Sequence, residues 1–442
     1  MEAASDVELV APNEIGRTVQ SLLVSLDNEK GPGNQHSSSI CTVPSVFRDL
    51  SPSSFDPRVV SIGPLRRQDQ HLQTFEAQKL TYVYDLLTRI DPRPESRRAT
   101  LEKCVQKVSD SKDRIKACYD GMKTSNEDDD ELVRMMVIDA CFILDFIFYL
   151  PNSDDPLRKN TLITQPIIFD LLIIENQIPF FVLEDIFKCT ILKFLPQQDI
   201  TSYILPLLEL YNLFVAELVV SNVNSDSPPD HILGLLHKFY QPVCKMSSEF
   251  NFIPKGHSAV ELDRAGVNFC PNQDNYWVMA MQLKLPRISC FPWFWCKPTL
   301  AMPILHIHDF TELILRNLIA YEHSFLDQNC VTSYACAMDM LIDTSEDVAR
   351  LVKSEVLINT LGSNENVANM MNKICKELPI IDFLYDQEWT QLDTYYHGFL
   401  ANLAAGLKRK YFSSPWNSIA LFAAFVLFAL TVVQTIFSIK AA

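Results

Sequence analysis

From Ile419 to Ile439 the chain runs 21 residues without a charged side chain. At about 1.5 Å per residue, a helix of that length covers roughly 30 Å, the thickness of a bilayer's hydrocarbon core. Tyr411, Phe412 and Trp416 precede it, where interfacial aromatics belong. The segment predicts one C-terminal anchor in membrane lipid, with the bulk of the chain on one side. The other apolar stretches, Leu132–Leu150 and Pro166–Leu195, are interrupted by Asp139, Asp145, Asp170 and Glu175. A carboxylate at mid-bilayer is costly, so these read as core helices.

Which side carries the bulk is a separate inference. Lys408, Arg409 and Lys410 precede the apolar segment and Lys440 follows it. The positive-inside rule then places the bulk in the cytosol, with the plasma membrane as the expected membrane. The N-terminus, MEAASDVELVAPNEIG, is acidic and lacks the basic and apolar regions of a signal peptide. None of the 23 asparagines starts an Asn-x-Ser/Thr acceptor, where chance would give roughly two or three.

A make-up of 48% apolar and 21% charged residues belongs to a folded chain rather than a disordered one. Only 11 glycines occur, which disfavours Gly-rich phosphate loops and turn-dense β-sandwiches and favours helices. A net charge of −16 lacks the basic face of a nucleic-acid binder, so no nucleic-acid partner is expected. Twelve cysteines spread from Cys41 to Cys375 without a CxxC pair. Cys141 and Cys189 lie in apolar runs as small core hydrophobes. Cys290 and Cys296, six residues apart in CFPWFWC, offer a bridge or two soft metal ligands, but the further ligands that a metal site needs are not nearby. Reduced thiols are expected.

Residues 1–43 read as a mobile tail with one amphipathic run, Ile15 to Leu26, and order is expected from about Thr42-Val43-Pro44. A helical domain spans 44–412, its halves joined by the polar loop near 221–230 (SNVNSDSPPD). Residues 413–442 form the membrane-proximal segment and the anchor, 419–439. A 3.6-residue period predicts an amphipathic helix over Gln70–Ile90, closed by Asp91-Pro92-Arg93-Pro94. A second helix follows from about Glu95 to Tyr119. The acidic run Glu127–Glu131 lacks the glycine and spaced ligands of a calcium loop and reads as a solvated helix start. Ser258 and Glu261 predict a capping box, with Gly266 in the left-handed position after the helix. Val267-Asn268-Phe269 and Pro298–His308 supply strands. Asp309 is the expected N-cap of a helix over Thr311–Glu322, with Glu312 and Arg316 paired across one turn. Helices over about 333–360, 363–376 and Glu388–Lys410 complete the domain. The fold class is mainly α: one large helical domain with a small β element, plus a C-terminal transmembrane helix.

The usual catalytic spellings (GxSxG, GxxxxGK[ST], HExxH, the kinase set) are missing, and no cofactor is expected. His306 and His308 share a strand face and are the best metal candidates, though no third ligand is evident. The densest polar signal is Glu175-Asn176-Gln177, flanked by Ile173-Ile174 and Ile178-Pro179. Pro179 suits the start of a new helix, so these three side chains should form the corner between two buried helices and satisfy backbone groups orphaned at both ends.

Several strings occur in the order of one known family: TVPSVFR (Thr42–Arg48), VSIGP (Val60–Pro64), Glu76-x-x-Lys79, CFILD (Cys141–Asp145) and DLLIIENQIPFFVLEDIF (Asp170–Phe187). HILGLLHKFY (His231–Tyr240), AVELDRAGVNF (Ala259–Phe269), TELILRNLIAYE (Thr311–Glu322) and YFSSPW (Tyr411–Trp416) continue it. From Thr42 onward the chain resembles the plant domain-of-unknown-function 247 family. It departs after the SIGP turn, where the family commonly has an aromatic and a histidine and this chain has Leu65-Arg66-Arg67. The resemblance implies a plant protein with a mostly helical domain and a C-terminal anchor, and it carries over no catalytic residue. Some grass members are linked to loci governing self-incompatibility between pollen and stigma.

The expected function is a non-enzymatic, membrane-anchored recognition or signalling protein with protein partners, self-incompatibility being a special case. The alternatives are an enzyme using buried carboxylates such as Glu175 or Glu322, and a passive membrane scaffold. An enzyme requires Glu175, Arg316 or His306 to converge on a concave opening.

Overall fold

The structure, a computed structural model, describes residue 19 and residues 38–120, 129–150, 161–219, 228–242, 255–272, 277–285, 297–326, 329–378, 383–398 and 415–441, the last as a helix with part of its side chains. In the first half the helices are α1 (Ser45–Leu50), α2 (Gln73–Ile90), α3 (Pro94–Asp110), α4 (Lys112–Ala117), α5 (Asp129–Tyr149), α6 (Thr161–Asp170), α7 (Phe180–Cys189) and α8 (Ile200–Glu209). In the second half α9 (Ile232–Tyr240) and α10 (Ala259–Ala265) precede β1 (Asn268–Pro271), β2 (Gln282–Lys284), β3 (Thr299–Met302) and β4 (Leu305–Ile307). Then come α11 (Thr311–Phe325), α12 (Cys330–Leu341), α13 (Ser345–Lys353), β5 (Leu357–Asn359), α14 (Asn364–Ile374), α15 (Asp386–His397) and α16 (Pro415–Ala441). The chain is mainly helical, and its buried apolar residues form one continuous core from Ile40 to Leu392.

Helix α5 is the hub of the first half. It is apolar on nearly every face and buried from Leu132 to Ile147, save Arg134, because α2, α3, α7 and α8 pack around it. In the second half α11 holds the centre, against α9, α12 and α14. The small β element consists of two sheets. One has the order β1-β3-β2, with β1 parallel and β2 antiparallel to β3, so that Phe269 and Leu283 both register with Leu300. The other pairs β4 parallel to β5, Leu305 opposite Leu357.

Several expectations need correction. Order starts before Thr42: Ile40, expected in the mobile tail, is fully buried, and its carbonyl accepts from the Asp120 amide at 2.9 Å. The helix expected to reach Tyr119 breaks at Ser111, and α4 resumes beyond it. Asp309 is not the cap of α11; Phe310 holds that position, and His308 organises the turn by accepting from the Phe310 amide through Nδ1 at 3.2 Å. The long helix over 333–360 is three elements, α12, α13 and β5. Thr344 and Asp347 form a capping box there, with an aspartate where the usual pattern has glutamate or glutamine. The Ser258–Glu261 box and left-handed Gly266 (φ 99°) are as expected.

The nine cysteines among the described residues are free thiols. Cys290, Cys296, Glu127 and the loop residues 221–227 lie outside the described residues. Among the described residues no helix is long and apolar enough to cross a membrane. The 27-residue backbone of α16 covers 419–439.

Candidate functional site: a stitched polar corner

Helix α6 ends at Asp170, α7 begins at Phe180, and the chain turns between them through a corner that is buried at every residue. The end of α6 takes the amides of Leu171, Leu172 and Ile173, but other amide and carbonyl groups of the corner have no helical partner, and leaving one unpaired costs about 1–3 kcal/mol. Here the side chains of the corner and of the loop packed on it make the pairs. Asn176 Oδ1 accepts from the Ile62 amide at 2.6 Å, while its Nδ2 donates to the Val60 and Asp170 carbonyls at 3.0 and 2.9 Å. Gln177 Nε2 donates to the Leu171 and Ile173 carbonyls at 2.8 and 3.0 Å, and its Oε1 accepts from the Leu233 amide at 3.3 Å. Glu175 Oε1 accepts from the Val43 amide at 2.6 Å and from Arg48, and its Oε2 lies 3.2 Å from Arg66 Nε.

The partner of this corner is the VSIGP segment. Asp170 accepts from the amides of Arg58, Val59 and Val60 at 2.8, 2.7 and 2.9 Å. Burial pushes its carboxyl up to about 6, against the pull of those three amides. The Gly63 amide donates to Asp139 Oδ2 at 2.9 Å, and Lys79 donates to the Ser61 carbonyl and, at 2.6 Å, to Asp139 Oδ1. Glu76 Oε1 completes the Lys79 shell at 2.7 Å. Only glycine fits at 63: its φ is +70°, and an added Cβ would stand 2.6 Å from the Gln177 carbonyl oxygen. Arg66 and Arg67, where the chain departs from the family pattern, are spent on ion pairs, Arg66 with Asp56 and Arg67 with Glu76 at 2.6 Å.

A second knot ties the corner to α11. Asn317 Oδ1 accepts from the Ile174 amide at 2.9 Å and its Nδ2 donates to the Ser54 carbonyl at 2.7 Å. Five residues further on, Glu322 is fully buried and accepts from the Val331 and Thr332 amides, both at 2.8 Å, so it caps the start of α12. His237 Nε2 lies 2.7 Å from its Oε1. Burial pushes the Glu322 carboxyl up, but His237 and these donors outweigh it and hold the group below the ordinary range.

The remaining sequence-derived candidates fall apart in space. Glu175 faces Arg48 and Arg66, while Arg316 pairs with Glu312 at 2.8 Å and lines a cavity of about 150 Å³ with Val43, Phe47, Phe55 and His323. His306 sits on β4 with Nε2 3.3 Å from Thr360 Oγ1, and its ring meets that of His308 edge-on at 5.6 Å. Burial and the neighbouring His306 depress the His308 imidazole. Among the described residues neither histidine belongs to a group of three metal-ligating side chains. Asp129, from the acidic run, is paired with Lys112 at 2.8 Å and with Lys116. Lys408, Arg409, Lys410, Tyr411 and Phe412, and the side chain of Trp416, lie outside the described residues.

Sequence reading missed Asp139 and its lysine as a pair. The signal was there in Lys79, a charge on the buried stripe of an amphipathic helix, and in Asp139, a carboxylate in an apolar run. What could not be read was that they meet.

The fold and its buried corner define a class: a mainly helical domain whose polar signature residues bind its own main chain. The plant family DUF247, described as a plant protein of unknown function, matches residues 40–430, and the chain belongs to it. The chain is similar to UPF0481 protein At3g47200 of Arabidopsis thaliana, 27% identical over 90% of this chain and 85% of that protein. It is also similar to the putative UPF0481 protein At3g02645 of Arabidopsis thaliana, 22% identical over 90% of this chain and 89% of that one. No solved structure matches.

Proposed function

We propose that this chain is a membrane-anchored recognition or signalling protein that works by contact with protein partners rather than by catalysis. One observation carries the reading: Glu175, Asn176, Gln177 and Glu322 all direct their polar atoms at neighbours within the domain, chiefly main-chain amides and carbonyls. Groups so engaged hold a scaffold in one shape, and a catalytic acid or base must instead face a substrate. The anchor is argued from α16, where Ile419, Phe422, Leu427, Phe428, Leu430 and Ile436 are all at least half exposed along a single helix. Apolar side chains on several faces of one helix suit lipid. A pollen–stigma recognition role is one instance of this reading, motivated by the family resemblance alone.

The test is proximity labelling in plant cells, with the full chain compared against a chain lacking residues 413–442. The full chain should stay with membranes through a carbonate wash and label a reproducible set of proteins, and the truncated chain should lose both. Retention of the truncated chain on washed membranes overturns the anchor. An unchanged melting temperature in Glu175→Gln and Glu322→Gln, together with loss of a biological activity, overturns the non-catalytic reading.

A further inference from the structure

Outside the corner, one group of side chains has the composition and spacing of a metal site. His257, in the turn before α10, is buried, and its Nε2 lies 2.7 Å from Asp393 Oδ1 on α15. One helical turn beyond, His397 brings its Nδ1 to 3.2 Å from the same oxygen. One ligand atom from each of the three lies within 4.8 Å of the others. We propose that His257, Asp393 and His397 bind a divalent cation of the zinc class, which fastens α15 to the loop leading into α10.

The donor set is the first argument. Two imidazoles and one carboxylate suit zinc, and bonds of about 2.0–2.1 Å put tetrahedral ligand atoms roughly 3.3 Å apart. The present separations of 2.7 and 3.2 Å need only a small opening of the Asp393 rotamer. Orientation is the second. The His257 ring stacks on Tyr396 at 3.9 Å between centroids, which fixes its plane. Its other nitrogen, Nδ1, faces Glu261 Oε2 at 3.7 Å. A ligating histidine commonly turns its second N–H towards a carboxylate. In the bound form the neutral His257 ring offers its bare Nε2 to the ion and holds its one proton on Nδ1, beside Glu261. His397 Nδ1, which now donates to the Asp393 main-chain carbonyl at 3.0 Å, gives up that bond to face the ion, and the ring's one proton moves to Nε2. Access is the third argument: His397 is exposed, so water can fill the remaining position.

A second trio, His237, Glu322 and Cys330, is fully buried, and its carboxylate already accepts from two amides and a hydroxyl. It works as a helix cap and lacks the opening that the surface trio has.

The experiment uses the full chain in detergent, dialysed free of metal and titrated with zinc chloride by calorimetry and with cobalt(II) by visible absorption. One equivalent should bind to the wild type, with a d–d band and no near-ultraviolet thiolate band. His397→Ala, an exposed position whose loss leaves the core intact, should weaken that equivalent by roughly tenfold or more, given that even outer-shell losses cost 10–100-fold. Zinc should raise the wild-type melting temperature and leave that of His397→Ala unchanged. Superimposable titrations of the two proteins, or a cobalt signal carried by thiolate absorption, overturn the proposal.

Discussion

The Lys79 ammonium lies 2.6 Å from the Asp139 carboxylate, and neither side chain has any exposed surface. Sixty residues of sequence separate them, on α2 and α5, and between them they hold the Ser61 carbonyl and the Gly63 amide. Burial raises the Asp139 carboxyl, and Lys79 with the Gly63 amide pulls the other way. Such a pair contributes geometry more than net stability, because both ions lose their water.

That asymmetry makes a sharp prediction. Lys79→Met leaves Asp139 uncompensated and the Ser61 carbonyl without its donor, and should destabilise the domain by about 3–5 kcal/mol. The double variant Lys79→Met/Asp139→Leu removes both charges and should recover a large part of that loss. Urea unfolding of the full chain in detergent measures both. A double variant no better than the single one would show that the pair is not the coupled unit described here.

Asn176 occupies the centre of the corner, with three main-chain partners in two segments. Asn176→Leu is close in size and removes all three bonds, so the expected loss is at least about 1–3 kcal/mol, the cost of one unpaired buried group. Thermal unfolding checks it. Asn176→Asp should also lose stability, since a carboxylate cannot donate to the Val60 and Asp170 carbonyls.

How much of this was legible follows from the range of the interactions. Helix α2 was readable because its buried residues Phe75, Val83, Leu86 and Leu87 repeat along one face, a local property. The corner at Glu175–Gln177 was readable because polar residues before Pro179 in an apolar run signal a buried turn. Its partners were not, because Ile62 and Val43 stand more than a hundred positions away and nothing local marks them. The same reason hid the use of Glu322, whose carboxylate caps a helix that starts eight residues later, so that it was weighed as a catalytic group. The break before α13 was missed because the periodic apolar pattern outvoted a Thr-x-x-Asp box. The strings that carry the family resemblance, TVPSVFR, VSIGP, ENQIPFF, HILGLLHKFY and RNLIAYE, turn out to be one connected set of contacts around the corner.

His231 predicts how the fold responds to acid. Its Nδ1 accepts from the Gly234 amide at 3.0 Å at the start of α9, and its Nε2 donates to the Ser39 carbonyl at 2.9 Å. That arrangement requires the neutral ring. Burial depresses the imidazole to about 4, with Asp230 opposing and His237 adding to the fall. The folded value is below the unfolded one, so the stability it contributes is present above the unfolded value of 6.5 and is lost as pH falls through about 4. The shift corresponds to about 3 kcal/mol at most. His231→Asn keeps an acceptor for the Gly234 amide without a titrating ring. Its melting temperature should therefore fall less than that of the wild type between about pH 7 and pH 4.5. Parallel curves for the two proteins would place the acid sensitivity elsewhere.

The last prediction rests on the proposed anchor and concerns which side of the membrane the bulk would take. Lys408-Arg409-Lys410 before the apolar segment favours a cytosolic bulk, and the cysteines provide an independent readout. Cys336 Sγ on α12 and Cys375 Sγ just past α14 are 3.2 Å apart as free thiols. An oxidising compartment would join two sulfurs held so close, whereas cytosolic reductants keep them apart. Chain isolated from plant membranes under rapid alkylation should carry both cysteines as alkylated thiols by peptide mass spectrometry. Protease added to intact protoplasts should likewise leave an N-terminal tag untouched. A linked Cys336–Cys375 peptide, together with digestion of the tag while a cytosolic marker survives, would turn the topology round and place the helical domain outside the cell.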